Sequence, residues 1–562
     1  MRTAASRGIC WVGLVVWLGC GGSGGGAGDD CGERAAASAA TEWARRAAFY
    51  EVFVRSFQDS DGDGVGDLNG LISRLDYLND GRVGGADLGV DALWLMPIFA
   101  AASYHGYDTV DYEAVDAAYG SGVDFDRLIA EAHRRGIRVI VDLVVNHTSD
   151  QHPWFISASN PASPDRSKYV WRGDNPGWSQ PWGGGSVWHP LGGAFYYGVF
   201  WSGMPDLNLT STAVRDEIVR IARGWLARGV DGFRLDAVRY AIETGPGSGQ
   251  QDTPETHAWW RDFARRAKDG NGNAFLVGEA WADTRTVGRY YGALDEMDAT
   301  FDFALQDAIV KTLQYRSAQF LADVFCALAD GYPAGALDAV FLGNHDMARL
   351  ATRLESDPAR LTLAAVLQTT LPGTPFLYYG EEIGMRNAKI PADYPADLAY
   401  RTPMQWDATG NGGFTSGTPW FPLGEDYAET NAAAQQADPD SLWHRYRRLL
   451  AIRKQSEPLA VGDFVPVHAL GAAEPAVVSY ARRAAGKLAM VVANTTGAPL
   501  TGVTLDLSAA GAAEGAVTDL WIAAAATPLS AANMAAYPLG EVPAFGWRLL
   551  EGAAALNRSE RP

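Results

Sequence analysis

Eight short apolar runs separated by amphipathic helical stretches constrain this chain most, because that alternation belongs to a parallel sheet whose strands are joined by covering helices. The runs are Phe49–Ser56, Ala92–Pro97, Arg138–Val145, Gly232–Asp236, Phe275–Glu279, a weaker one near Thr300, Val340–Asn344 and Phe376–Tyr379. Between them, Phe125–Arg135, Val214–Arg228 and Arg360–Thr370 carry apolar residues at three- and four-residue spacings. The expectation is an α/β fold, a TIM (β/α)8 barrel.

Three acidic residues stand at or just beyond the ends of these runs: Asp236, Glu279 and Asp346. A single Asp after a strand usually caps the next helix. Three in one chain, one two residues after Arg234 and one directly after His345, point to a charged pocket at the C-terminal face of the barrel.

The 66 acidic and 46 basic residues give a formal charge of -20, which argues against a nucleic-acid partner or an anionic membrane surface as ligand. A neutral substrate suits this charge. The 19 Trp and 22 Tyr offer flat rings with a polar edge, suited to pyranose binding.

Residues 1–20 read as an export signal, with Arg2 and Arg7 ahead of an apolar stretch too short to span a bilayer. Trp17-Leu-Gly-Cys-Gly resembles a bacterial lipobox, so Cys20 is the expected lipid anchor, and the Gly-rich segment 21–41 a flexible tether. Ordinary cleavage and free secretion is the alternative. Cys31 and Cys326 leave one bridge open without requiring it. The barrel is expected over 42–146 and 207–457. Residues 147–206, too long for an ordinary loop and rich in Trp, Gly, Pro and Ser, form an inserted subdomain B. Alternating runs from 458 to 552 form a C-terminal β-sandwich, with a tail at 553–562. A monomer is expected.

In Asp59-Ser-Asp-Gly-Asp-Gly-Val-Gly-Asp, the side chains of Asp59, Asp61, Asp63 and Asp67 and the Val65 carbonyl supply hard oxygens at spacings able to wrap Ca²⁺. Gly70 stands where an EF-hand would carry Glu.

The ordered motifs Gly89-Val-Asp-Ala-Leu-Trp-Leu-Met-Pro, Asp142-Leu-Val-Val-Asn-His, Met204-Pro-Asp-Leu-Asn, Gly232-Phe-Arg-Leu-Asp-Ala, Gly278-Glu-Ala-Trp, Phe341-Leu-Gly-Asn-His-Asp and Gly373-Thr-Pro-Phe-Leu-Tyr-Tyr-Gly-Glu-Glu resemble the α-amylase family, glycoside hydrolase family 13. The Met204 motif resembles the intermediary subfamily between oligo-1,6-glucosidases and neopullulanases. The resemblance implies Asp236 as nucleophile, Glu279 as general acid and base, and Asp346 as the residue holding substrate hydroxyls. Arg234, two residues before Asp236 on a strand, points to the same face, and its fixed positive charge is expected to keep that nucleophile ionised. The resemblance also implies that His147, His345 and His105 bind the sugar and that Tyr107 lies beneath it. Asn146 resembles a ligand of a second calcium site. Arg239-Tyr240 replaces a common Lys-His pair facing the leaving group, which makes Arg239 a substrate-binding candidate.

Exo-acting relatives usually carry an acid where Tyr104 stands, so the resemblance implies an open cleft. Ala237 in place of Val favours α-1,4 over α-1,6 cleavage. The expected activity is endo-hydrolysis of α-1,4 bonds in starch, glycogen or maltooligosaccharides. The alternatives are a neopullulanase-like or oligo-1,6-glucosidase-like hydrolase, a 4-α-glucanotransferase, and a noncatalytic surface glycan-binding lipoprotein.

Overall fold

The computed structural model describes residues 39–391, 393–471 and 476–555. The export signal, Cys20, Cys31 and most of the tether lie outside them, as does the tail beyond residue 555. A helix at Ala39–Arg46 already begins inside the stretch expected to be tether. Among the described residues no helix is long and apolar enough to cross a membrane. Cys326 lies in the helix Gln319–Gly331.

Eight parallel strands close into a barrel: β1 (Phe49–Val52), β2 (Ala92–Leu95), β3 (Arg138–Leu143), β4 (Gly232–Leu235), β5 (Phe275–Gly278), β6 (Ala299–Phe301), β7 (Leu337–Phe341) and β8 (Thr374–Tyr378), paired in chain order with β8 returning to β1. The intervening helices follow the expected apolar stripes. The one over Gly122–Arg134 starts at a capping box in which Ser121 and Asp124 satisfy each other's backbone N–H.

Two strand expectations are corrected. β1 stops at Val52, and Val54–Phe57 is a helical turn that leads into the acidic loop. β7 runs over Leu337–Phe341 instead of Val340–Asn344, because it carries Asp338 buried in the barrel wall beside Asp302, a polar residue that breaks the apolar pattern.

Side chains alternate across each strand. Phe49, Trp94, Ile140, Phe275, Val277, Phe301, Phe341 and Phe376 fill the barrel interior, with Phe49 stacked on Phe376 at 4.3 Å. Tyr50, Val52, Leu93, Leu95, Val139, Val141, Phe233 and Leu235 join the larger core beneath the helices. Two residues beyond the interior apolar layer, the same alternation places Glu51 after Phe49, Asp142 after Ile140 and Glu279 after Val277 on the inner face. The barrel is therefore greasy below and charged at its C-terminal mouth.

Residues 147–206 contain a three-stranded sheet of Trp171–Arg172, Ala194–Tyr197 and Trp188–Leu191. The insertion is tied to the barrel by the bridge between His147 and Asp206. Most of its aromatics pack on each other, as Trp178, Trp188 and Tyr197 do, while Trp182 and Trp201 remain about half exposed.

Past the helix Leu442–Gln455, a six-stranded and a three-stranded antiparallel sheet enclose a separate core including Leu488, Met490, Val492, Leu505 and Leu550. The last strand of the larger sheet reaches Ala553, inside the expected tail. The fully buried Arg482 side chain donates to the carbonyls of Gly462, Thr370 and Leu371, fastening this unit to the barrel.

Candidate active site

β4 and β5 pair with Leu235 opposite Gly278, so Asp236 and Glu279, each one residue further on, leave adjacent strands at the same height. Arg234 points to the same face as Asp236. Its guanidinium lies 2.6 Å from Asp236, 3.0 Å from Asp142 and 2.9 Å from Glu279, and the residue is 1% exposed. Arg234 was expected to hold one carboxylate ionised; the structure divides it among three.

One cation among three acids leaves the cluster short of positive charge, so it retains protons. Burial raises both Asp236 and Glu279, Arg234 opposes it, and burial lifts Asp142 to about 7. The three titrate as a unit. Ala237, turned into the left-handed region at φ 49°, aims its N–H at Glu279 Oε2 over 3.1 Å.

Asp346 reaches the site from the loop after β7. Burial alone would raise it, but His345 Nε2 at 3.0 Å and Arg401 Nη2 at 2.8 Å outweigh that and hold it well below the usual carboxylate range. The Tyr107 hydroxyl donates to Asp142 at 3.0 Å and lies 2.6 Å from His345 Nε2, with its ring stacked on the imidazole. His147 is 2% exposed. Its Nε2 faces the Tyr107 carbonyl at 3.1 Å, and burial drops it to about 4, so it is a neutral donor. His105 Nδ1 accepts from the Tyr107 N–H at 3.1 Å, which puts its proton on Nε2.

These residues converge. Arg239 does so differently: its guanidinium is taken by Asp252 at 2.6 and 3.0 Å and by the Trp281 carbonyl at 2.6 Å. It braces the loop after Glu279.

Four site residues escape sequence reasoning. Asp142 and Glu51 have a legible signal, a charge inside an apolar strand at an inward position. Arg401 and Asp397 have none, because they come from irregular chain after β8 that only folding brings back. Arg401 joins Asp346 to Asp397, at 2.7 Å, and Asp397 also accepts from the Tyr104 hydroxyl at 2.6 Å.

Beyond Glu279 and Asp346 a cavity of about 330 Å³ is lined by Trp281, Phe303, Gln306, Asp307, Met347, Ala348 and Arg353, with Trp281 stacked on Phe303 at 4.4 Å. Trp182, Phe200 and Tyr240 form a second aromatic group, with Phe200 against His147. Both groups offer flat surfaces to sugar rings.

In the acidic loop, carboxylate oxygens of Asp59, Asp61 and Asp67 lie within 4.8 Å of one another. Asp63 stays outside that group, its Oδ1 held by the Val65 N–H at 2.7 Å. Burial pushes Asp59 up, but hydrogen bonds from Thr415 and the Gly62, Gly64 and Asp61 amides hold it below its usual range. Gly64 is needed here: at φ 96°, a Cβ would sit 1.9 Å from the Thr418 carbonyl. Three converging hard-oxygen donors fit Ca²⁺. Asn146 donates to the buried Asp206 at 3.1 Å, and its own Oδ1 is buried without a hydrogen-bond partner.

Buried carboxyls paired on adjacent strand ends, with aromatic surfaces around them, define this barrel as a glycoside hydrolase. The α-amylase catalytic-domain family matches residues 51–462, and the chain belongs to the α-amylase family. It is similar to α-amylase 3 of Dictyoglomus thermophilum, 37% identical over 462 residues that cover 80% of this chain and 85% of that one. It is also similar to the trehalose-6-phosphate hydrolase of Escherichia coli, 35% identical over 80% of this chain and 90% of that one. The crystal structure of an α-amylase from H. orenii superposes with a TM-score of 0.77 at 36% identity, over 90% of this chain and 99% of the other. Membership of a family of enzymes, with both carboxyls in place, stands against the noncatalytic reading.

Proposed function

We propose that this protein hydrolyses α-1,4-glucosidic bonds within starch, glycogen or maltooligosaccharides, with retention at the anomeric carbon. The observation that carries the reading is the shared grip of Arg234 on Asp236 and Glu279, which holds two carboxyls at one place as a retaining mechanism needs.

In the first step the Glu279 carboxyl, kept protonated by burial, gives its proton to the glycosidic oxygen. An Asp236 oxygen attacks the anomeric carbon as the bond to the leaving sugar breaks. Glu279, now ionised, takes a proton from water, whose oxygen attacks the same carbon and releases Asp236. Asp346 and His105 hold sugar hydroxyls and Tyr107 lies under the ring, while the buried His345 and His147 brace them, His345 through Asp346 and His147 through the Tyr107 carbonyl. Arg239 acts through Trp281, whose ring receives the leaving-group side. Calcium at Asp59, Asp61 and Asp67 belongs to this reading as a structural ion. So does a lipid anchor at Cys20, supported by the N-terminal sequence alone.

A second reading, attack from chain ends, is favoured by Asp397. The acid absent at position 104 is supplied from elsewhere in the chain, hydrogen-bonded to Tyr104 and Arg401. Chromatography of timed digests of soluble starch, pullulan and isomaltose tests both. Internal cleavage releases a ladder of maltooligosaccharides from starch. Glucose as the sole early product would sink the endo reading, and longer products than substrate would favour transfer.

A further inference from the structure

Glu51 is a buried carboxyl that the proposed mechanism does not use. It lies on the inner face of β1 and is 2% exposed. Its Oε1 sits 2.6 Å from His345 Nδ1. The other ring nitrogen, Nε2, faces Asp346 Oδ2 at 3.0 Å and the Tyr107 oxygen at 2.6 Å. The Tyr107 hydroxyl gives its proton to Asp142, so its oxygen receives. An ionised carboxylate only accepts, and an imidazole serving a carboxylate at each nitrogen carries both protons.

We propose that Glu51 is a positioning residue that holds His345 as the imidazolium and thereby keeps Asp346 ionised and aimed at the sugar. This rests on the substrate-binding role proposed for Asp346.

The surrounding groups agree. His345 is fully buried, which opposes protonation, yet Asp346 and Glu51 lift it to about 9. Facing it are Glu51 from β1, the Trp94 ring of β2 at 5.7 Å, Tyr107 with Asp142 of β3 behind it, and Asp346 on its own loop. The Arg401 Nε donates to the His345 carbonyl at 2.8 Å. Asp236, just past β4, lies within electrostatic reach, Arg234 acts on both Glu51 and Asp346, and Tyr378 of β8 faces Glu51. Burial raises Glu51 itself, against the pull of His345; a proton on Glu51 with a neutral His345 is therefore the arrangement the experiment must detect.

The test compares the pH dependence of kcat/KM on a maltooligosaccharide for the wild type and Glu51→Gln, which keeps the shape and removes the charge. The alkaline limb should move about one pH unit toward acid, so that the loss at pH 8 is about tenfold larger than at pH 5.5. Profiles that superimpose after scaling would mean a merely structural Glu51 and overturn the proposal. Nitrogen NMR of histidine-labelled wild type reads the proton directly and needs no turnover: the resonances missing in His345→Gln should show both ring nitrogens protonated at pH 8. A neutral tautomer there also overturns it. A wild type that cleaves no α-glucan would defeat the functional reading, while the NMR result would still decide the proton.

Discussion

The Asp397 carboxylate meets the Tyr104 hydroxyl at 2.6 Å and is shared with Arg401 at 2.7 Å. Arg401 in turn holds Asp346, so one chain of polar contacts runs from Tyr104 into the buried cluster of carboxyls. Asp397→Ala should release Tyr104 and shift early products from starch toward longer maltooligosaccharides. It should raise KM severalfold, since Arg401 also loses an anchor. An unchanged product ladder would remove Asp397 from specificity.

Asp236→Asn preserves shape but deletes the attacking oxygen's charge. We expect kcat to fall by about 10⁴-fold or more, with maltooligosaccharide affinity by calorimetry within a few fold of wild type, because binding and nucleophilic attack use different groups. A kcat near wild type would assign the nucleophile elsewhere.

Acid should destabilise the fold through buried neutral histidines. Burial lowers both His147 and His152 to about 4 from 6.5. Below pH 6.5 the unfolded chain takes up protons that these two refuse, so their contribution is present above that value and is lost as pH falls toward 4. His152 also caps the helix Pro153–Ala158 through Nδ1. His152→Asn retains a capping side chain, and should flatten the decline in urea midpoint between pH 6.5 and 4.5.

Removal of calcium should lower Tm if the acidic loop binds it, since a ligand held only by the folded state stabilises it. A chelator should reduce Tm by several degrees in the wild type and leave Asp61→Ala unmoved. Asp61 is the informative choice because its carboxylate accepts one backbone hydrogen bond, from Asp63, whereas Asp59 accepts three and Asp67 two. Equal chelator shifts in both proteins would place any ion elsewhere.

Much of the fold was legible because a strand buried on both faces must be apolar, and a covering helix needs only one apolar stripe. Asp236 and Glu279 were legible for the same reason: a charge ending a greasy run has few places to go except a polar pocket. β6 was faint because three residues barely register as a run, and β7 was displaced because Asp338 is buried where the pattern calls for apolar side chains. Arg239 was misplaced as a free hand for sugar, because its partners Asp252 and Trp281 are 13 and 42 residues away and no local spacing reveals them.

The sequence by itself determined the barrel, the carboxyls at its strand ends and the residue types around them, since these follow from periodicity and from charges that end apolar runs. Only the tertiary structure decided who shares charge with whom. Arg234 serves three acids, His345 stands between Glu51 and Asp346, and Asp397 returns from beyond β8 to meet Tyr104. Those contacts join segments up to 294 residues apart, and electrostatic energy depends on distance in space, which chain order does not encode.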